Sequence, residues 1–377
     1  MISYLPMTKA SVGLSITRDS LCLVEVRRSW NRVTCRHISE TLLPASCLRL
    51  SPARPNIENM KEFVRSLSTL VKHCTLPQSV VLSLPDICGR TTILPFPSFP
   101  AKQSEQDSVV RWRFQQDMNI ATDKTRFAYR MFSASKDQTS PRQVLATAVQ
   151  HDVIEQYEEA CLEVGLLPNS VGLSGLDVCD FYQSTMPEFN RPTKRPSETT
   201  NQEYLFLYLA NWGFSFMAFR HSIPIFLRVK ALPIPRFTQD HEGPDQRETG
   251  HTADPAVSNE DPTMSNQQRQ EQYSALHLNS VSNELVATLQ YYFESHQHIR
   301  SDHAPIPLYF AEGVLNGEAL LPSEHTIENM LNATILRPPP LSIMKVADTL
   351  SPKTKVAMMQ SSPQMTGFSA LASVAIL

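Results

Sequence analysis

Val12-Gly13-Leu14-Ser15-Ile16, Thr17-Arg18-Asp19-Ser20 and Leu21-Cys22-Leu23-Val24-Glu25-Val26 follow one another as an apolar run, a polar break and a second apolar run. Alternation and turn chemistry read as two strands joined by a short turn, and Arg32 to Ile38 supplies a third. The same series returns later. Tyr204 to Leu209, the turn Asn211-Trp212-Gly213, Phe214 to Phe219, the turn Arg220-His221-Ser222 and Ile223 to Val229 form a second three-stranded meander. Each meander leads to an amphipathic helix and then a buried strand. The first helix is expected over Ile57 to His73, with Asn56 as N-cap and Ile57, Met60, Phe63 or Val64, Leu67 and Leu70 on one face. Val80 to Leu84 is the strand, ended by Pro85. The second helix is expected over Leu278 to Glu294, with Val281, Leu285, Leu289 and Tyr292 inward, and its strand over Pro307 to Ala311. Meander, helix, strand, written twice, is an internal duplication, and it predicts two α/β lobes.

Between the repeats the character changes. Pro95, Pro97 and Pro100 lead into a helix over Ser104 to Met118, two strands at Phe127 to Phe132 and Val144 to Val149, and a helix over Asp152 to Val164 stopped by Gly165. This block reads as a small α+β subdomain inserted into the first lobe. The expected organisation is therefore: first lobe 1–85, inserted subdomain 86–168, return to the first lobe 169–190, linker 191–203, second meander 204–236, a polar loop 237–272, and the rest of the second lobe 273–377. The loop 237–272 is rich in Asp, Glu, Gln, Pro and Ser and is expected to be disordered.

Composition removes several classes of function. With 377 residues the chain is long enough for separate cores, and a net charge of −3 offers no field for nucleic acid or an anionic membrane. The seven cysteines form no C-x-x-C pair, so reduced thiols are expected rather than a disulfide framework or a zinc site. Met1 to Ser11 shows no signal-peptide pattern, and no apolar run reaches the ~20 residues that span a bilayer. Phe368 to Leu377 is apolar but short, and is expected to pack as a helix. A cytoplasmic protein is expected. There are 28 prolines and only 11 glycines, few for phosphate-binding loops.

Two such lobes resemble the plan of the actin-like ATPases, a duplicated ribonuclease H-like α/β fold. Within that superfamily the sequence is similar to the type IV pilus assembly protein PilM family, itself similar to the division protein FtsA. The resemblance rests on Gly13-Leu14-Ser15-Ile16 through Leu23-Val24-Glu25-Val26, on Val81-Leu82-Ser83-Leu84-Pro85 with Leu94-Pro95, on Val164-Gly165-Leu166-Leu167-Pro168, and on Ser282-Asn283-Glu284-Leu285 through Tyr291-Tyr292. Each piece is short; their order and spacing carry the likeness.

The resemblance implies a nucleotide cleft between the lobes, with the first turn of each meander on the phosphates. The chemistry needs carboxylates to organise Mg²⁺ and water, and glycines where backbone approaches phosphate. Here the family's first Asp is Ser15 and its second Gly is Thr17, while its later Lys is Cys22. The second lobe's Asp-x-Gly reads Tyr208-Leu209-Ala210, and the adenine turn reads Ala311-Glu312-Gly313. Asp19 lies in the first turn but four positions from the Asp it would replace. The cleft residues by this alignment are Gly13, Ser15, Thr17, Gly213, Glu284 (toward a ribose), Gly313 and Gly317. No catalytic residue, metal site or required cofactor is expected, and ATP with Mg²⁺ is the ligand to test.

Other groupings read as ordinary structure. His296 and His298 are two apart and face different sides of a helix, so with Asp302 and His303 they read as surface residues. Gly172-Leu173-Ser174-Gly175 lacks the second glycine of a nucleophile elbow, Leu176 standing in its place, and reads as a plain turn. Arg27-Arg28 and Lys194-Arg195 read as solvated turns. Phe206, Trp212, Phe214, Phe216 and Phe219 read as core and sheet face rather than a base-stacking platform. The function implied by the resemblance is a pseudo-ATPase scaffold of pilus or related secretion machinery. It would grip the cytoplasmic tail of a PilN-like inner-membrane protein in a groove between the first lobe and the block Pro85 to Pro168, and connect to platform proteins and motor ATPases. The alternatives are an active actin-like ATPase and the cytoplasmic part of a GspL-type secretion protein.

Overall fold

The structure, a computed structural model, describes residues 10–29, 32–74, 78–132, 142–185, 203–232, 280–281, 283–295, 308–313 and 335–336. Two five-stranded sheets and one three-stranded sheet organise them.

In the first lobe β1 (Val12–Ile16) pairs antiparallel with β2 (Ser20–Ser29), which pairs antiparallel with β3 (Arg32–Leu42). On the other side β1 runs parallel to β4 (Gln78–Leu84), and β4 runs parallel to β8 (Leu166–Leu173). In the second lobe β9 (Glu203–Ala210), β10 (Gly213–Arg220) and β11 (Ile223–Ala231) form the meander. There β9 runs parallel to β12 (Leu308–Gly313), which runs parallel to β13 (Ile335–Leu336). The two orders, β3-β2-β1-β4-β8 and β11-β10-β9-β12-β13, are the same order in the same directions. The duplication read from the sequence is thus a duplication of topology. The turn at His221-Ser222 has φ of 52° and 63°, the paired positive values of a tight hairpin whose twist matches its strands.

The third sheet, β5-β7-β6, is antiparallel and belongs to the inserted subdomain. It comprises β5 (Arg90–Phe96), β6 (Thr125–Phe132) and β7 (Arg142–Gln150), covered on one face by α2 (Gln103–Met118). The proline-rich passage conceals β5. Pro95 can occupy a strand because β5 is an edge, where a missing N–H breaks no ladder.

Four corrections to the sequence reading have physical causes. Helix α1 runs Met60–Leu70 followed by a 3₁₀ turn, and its N-cap is Asn59, which accepts the Glu62 N–H at 3.2 Å. Asn56 is fully buried instead, accepting the Ser51 N–H at 2.7 Å and donating to Cys88 Sγ at 3.1 Å. Helix α3 (His151–Glu163) does not belong to the inserted subdomain: Val153, Ile154, Tyr157, Ala160 and Cys161 pack into the first-lobe core with Leu14, Phe63 and Leu82. Gly172-Leu173-Ser174-Gly175 is not a plain turn; it is the junction where β8 ends and α4 (Ser174–Thr185) begins.

The helical residues 280–281 and 283–295, α5, pack Val281, Leu285, Leu289 and Tyr292 against Leu205, Leu207, Phe214 and Phe216 as the periodicity requires. The opposite face of that sheet does something else. Tyr204, Phe206, Tyr208, Trp212, Met217 and Phe219 share one core with Cys22, Val24 and Val81 of the first lobe and with Val178 and Tyr182 of α4. A continuous apolar core therefore joins the lobes. Six cysteines are free thiols, and Cys35 lies where side chains are not described. Among the described residues no helix is long and apolar enough to cross a membrane. The expectations for 191–202, 237–272 and 368–377, and for His296, His298, Asp302 and His303, fall outside the described residues.

Candidate functional site

The first candidate is the place between the hairpin tips. Thr17 and Ser20 close the first tip: Thr17 N–H donates to Ser20 O at 2.9 Å, Ser20 N–H donates to Thr17 Oγ1 at 3.0 Å, and the two hydroxyls lie 2.8 Å apart. The second tip carries Asn211 between β9 and β10. The Asn211 side-chain amide donates to the Asp19 carboxylate and lies 3.4 Å from Thr17 Oγ1, while the Arg18 N–H donates to Asn211 Oδ1 at 3.4 Å. The tips are bonded to each other.

The residues expected to line a cleft have these positions. Gly13 and Ser15 are buried in β1, opposite Val24 and Cys22 of β2. Tyr208 is buried in the interlobe core near Trp212, ring centroids 6.3 Å apart. Gly213 has a φ of 139°, and a Cβ there would stand 2.0 Å from Lys230 O, so its glycine is required by the neighbouring strand β11. Glu284 is held by Lys230 Nζ at 2.8 Å and Arg228 Nη2 at 3.5 Å. Gly313 ends β12 beside Ala210, and Gly317 lies outside the described residues. Among the described residues of that alignment, Thr17 is the one whose side chain bonds across the junction of the tips. Among the described residues no group of three or more His, Cys, Asp or Glu could hold a metal ion.

A second polar node was not anticipated. Asp86, in the 3₁₀ turn after β4, is buried; its carboxylate accepts the Gly175 N–H at 2.9 and 3.1 Å and the hydroxyl of Ser215 on β10. One carboxylate therefore joins the first lobe, the N-terminus of α4 and the second lobe, and it satisfies a helix N–H that would otherwise be orphaned. Burial pushes the Asp86 carboxyl up to about 6, against the lowering effect of its two hydrogen bonds.

The second candidate is a groove of about 360 Å³ between the open face of the inserted sheet and the first lobe. Across β6 and β7, Arg126 faces Val149, Ala128 faces Thr147 and Arg130 faces Leu145, so these side chains form one face. Opposite stand Val171, Leu176, Asp177 and Asp180, and the second lobe contributes Met217 and Phe219. Two ion pairs cross from sheet to helices: Arg126 to Glu158 of α3 at 2.6 Å and Arg130 to Asp180 of α4 at 2.7 Å. The size and the apolar walls with a few polar groups suit a side-chain-bearing ligand. No local motif marks this groove, because it is assembled from four segments far apart in the chain.

Compared with solved structures, the chain matches over 98% of its length, and over 98% of the other's, a chain of the PilM-PilN type IV pilus biogenesis complex, at TM-score 0.67 and 17% identity. The fold is actin-like. A Bacteroides thetaiotaomicron protein of actin-like ATPase fold and unknown function matches at TM-score 0.44 and 9% identity, covering 95% of this chain and 99% of that one. The cytoplasmic domain of EpsL, an inner-membrane component of the Vibrio cholerae type II secretion system, matches at TM-score 0.38 and 8% identity, covering 82% and 84%. No family profile and no curated protein matches the sequence. The actin-like fold fixes where the hairpin tips and the inserted subdomain stand, and the chemistry must be argued from this chain's residues.

Proposed function

We propose that this protein is a scaffold of type IV pilus or related secretion machinery, which holds the tail of a PilN-like inner-membrane protein in the groove beneath the inserted subdomain and does not hydrolyse ATP. The observation that carries the reading is the bond between the hairpin tips. Where the resemblance puts a triphosphate and its metal, Asn211 meets Asp19 and Thr17 directly. Ser15 and Tyr208 stand at the aligned carboxylate positions, and Tyr208 is built into a core that spans the lobes. Opening that space for nucleotide would expose aromatic surface and break buried hydrogen bonds, each with a cost.

The groove supports the positive half of the proposal. Its walls come from the block Pro85 to Pro168 and from the return to the first lobe, and their apolar parts can take anchor side chains from an extended tail. The whole-chain likeness to a chain of a PilM-PilN complex supports the choice of partner class.

The test has two arms on the folded chain. A pulldown with the N-terminal segment of the cognate pilus membrane protein is expected to retain this protein, and no retention would overturn the partner assignment. A thermal-shift titration with ATP and Mg²⁺ is expected to give no stabilisation, whereas a ligand at a hundred times its Kd stabilises by about 2.7 kcal/mol. A shift of that size would show that nucleotide still binds, and Mg²⁺-dependent release of phosphate from ATP would overturn the pseudo-ATPase half alone.

A further inference from the structure

The groove contains one acid whose arrangement says what it receives. Asp177 lies on α4, lines the groove, and has its Oδ2 fixed by the Ser83 hydroxyl at 2.9 Å. Gly172 makes room for it: a Cβ at that position would stand 2.3 Å from Asp177 Oδ1. The two arginines of the groove are engaged elsewhere, Arg126 with Glu158 and Arg130 with Asp180. Among the described residues no Lys, Arg or His lies within ion-pairing distance of Asp177. A carboxyl in an apolar wall with no cation is costly as an anion, and it is stabilised by whatever cation reaches it.

We infer that the groove recognises a tail segment carrying a basic side chain among apolar residues, and that this cation pairs with Asp177. The inference rests on the proposed function for the identity of the partner, and on the groove's own geometry for the cation. The neighbouring acids argue the same way. Asp86 on the turn after β4 and Asp180 on the same helix both face Asp177 and repel its charge; Arg130, Arg126 and Glu158 are the other charged groups around the groove, already paired. Burial holds the Asp177 carboxyl well above the ordinary range, against the Ser83 hydrogen bond, and the two carboxylates add smaller contributions in the direction of burial. Arrival of a cation reverses that balance and releases the proton, so affinity for the cation rises with pH.

The experiment uses the full chain and two probes. The first is n-butylammonium against n-butanol, followed by amide chemical shifts at Gly172, Ser83 and Val178. The ammonium is expected to perturb these amides in wild type at lower concentration than the alcohol, increasingly so as pH rises, and Asp177→Asn is expected to abolish the difference. Equal responses to ammonium and alcohol, or an unchanged preference in Asp177→Asn, would overturn the inference. The variant keeps the size of the side chain and an oxygen for the Ser83 hydroxyl, so it is expected to fold; the wild-type pH dependence decides the matter independently.

The second probe is a peptide of the partner's N-terminal tail. Replacing its basic residue with norleucine is expected to lower affinity more than tenfold, while acetylating its amino terminus leaves affinity unchanged. The reverse pattern would overturn the assignment to a side chain. If no tail peptide binds but n-butylammonium still prefers wild type, the pilus reading fails and the cation site stands.

Discussion

Asn211 of the second lobe donates its side-chain amide to the Asp19 carboxylate of the first, so the two hairpin tips that face each other across an actin-like molecule are tied by one residue pair. Thr17 adds to the tie from Asp19's own turn, accepting from Asn211 and donating to Asp19 at 3.2 Å. The lobes are held together by this polar clasp at the rim and by an aromatic core beneath it.

Breaking the clasp should cost stability without creating a nucleotide site. Asn211→Ala removes one hydrogen bond from the Asp19 carboxylate and one from the Arg18 N–H, and a loss of about 1–3 kcal/mol is expected by chemical denaturation. The double variant with Asp19→Ala should cost less than the sum of the singles, because each removes the other's reason to be satisfied. Strict additivity would mean that the pair is not coupled.

The pH dependence of stability has a sign fixed by Asp86. Its folded-state value, about 6, stands above the ordinary 3.8, so the folded protein binds a proton that the unfolded chain has released. Stability therefore falls as pH rises from about 4 to about 6 and is level above that window. Asp177, also raised, pushes in the same direction. Asp86→Asn keeps an acceptor for the Gly175 N–H and a group for Ser215, and it removes the buried charge. Its melting temperature at pH 7.5 should exceed that of wild type, by up to about 3 kcal/mol in stability, and the slope between pH 4 and 6 should flatten. A variant equally destabilised at both ends would show that the carboxylate's charge is needed there.

How much of this was visible in the sequence depended on the range of the interaction. Alternation in Val12 to Val26 and Tyr204 to Val229 is local, and it exposed both meanders and their shared order. β5 was hidden because Pro95 is forbidden only in central strands, and edge position is a tertiary fact. The cap moved from Asn56 to Asn59 because both residues suit an N-cap, and only packing decides which one is drawn into the core beside Cys88. At the site, substitutions away from the family pattern at Ser15, Thr17 and Tyr208 could be read directly. Asn211 could not, since Asn211-Trp212-Gly213 between two strands announces only a turn. Asp86, Asp177 and the groove were invisible for the same reason: their partners are dozens of residues away in the chain.

Gly213→Ala tests whether that glycine serves a ligand or the sheet. The φ of 139° suits glycine alone, and the added methyl would meet Lys230 O at 2.0 Å, so backbone must move. A loss of more than about 2 kcal/mol is expected in the absence of any nucleotide. Near-wild-type stability would return the glycine to the candidate ligand-binding residues.

Tyr208→Ala separates a packed interlobe space from a ligand cleft most sharply. Tyr208 is almost completely buried, shares its core with Cys22 and Val24 across the lobes, and packs near Trp212. Removing so large a buried ring leaves a cavity, and substitutions of this kind cost about 3–5 kcal/mol. If the ring merely obstructs a site that is otherwise competent, the variant should gain ATP affinity and recover part of that loss when ATP and Mg²⁺ are added. The expected result is the full loss with no recovery, because the aligned carboxylate positions still hold Ser15 and an alanine, and Asn211 still occupies the tip. Thermal melts of the variant with and without ATP and Mg²⁺ decide between the two, and recovery of even a few degrees would mean that the tips open more readily than their hydrogen bonds imply.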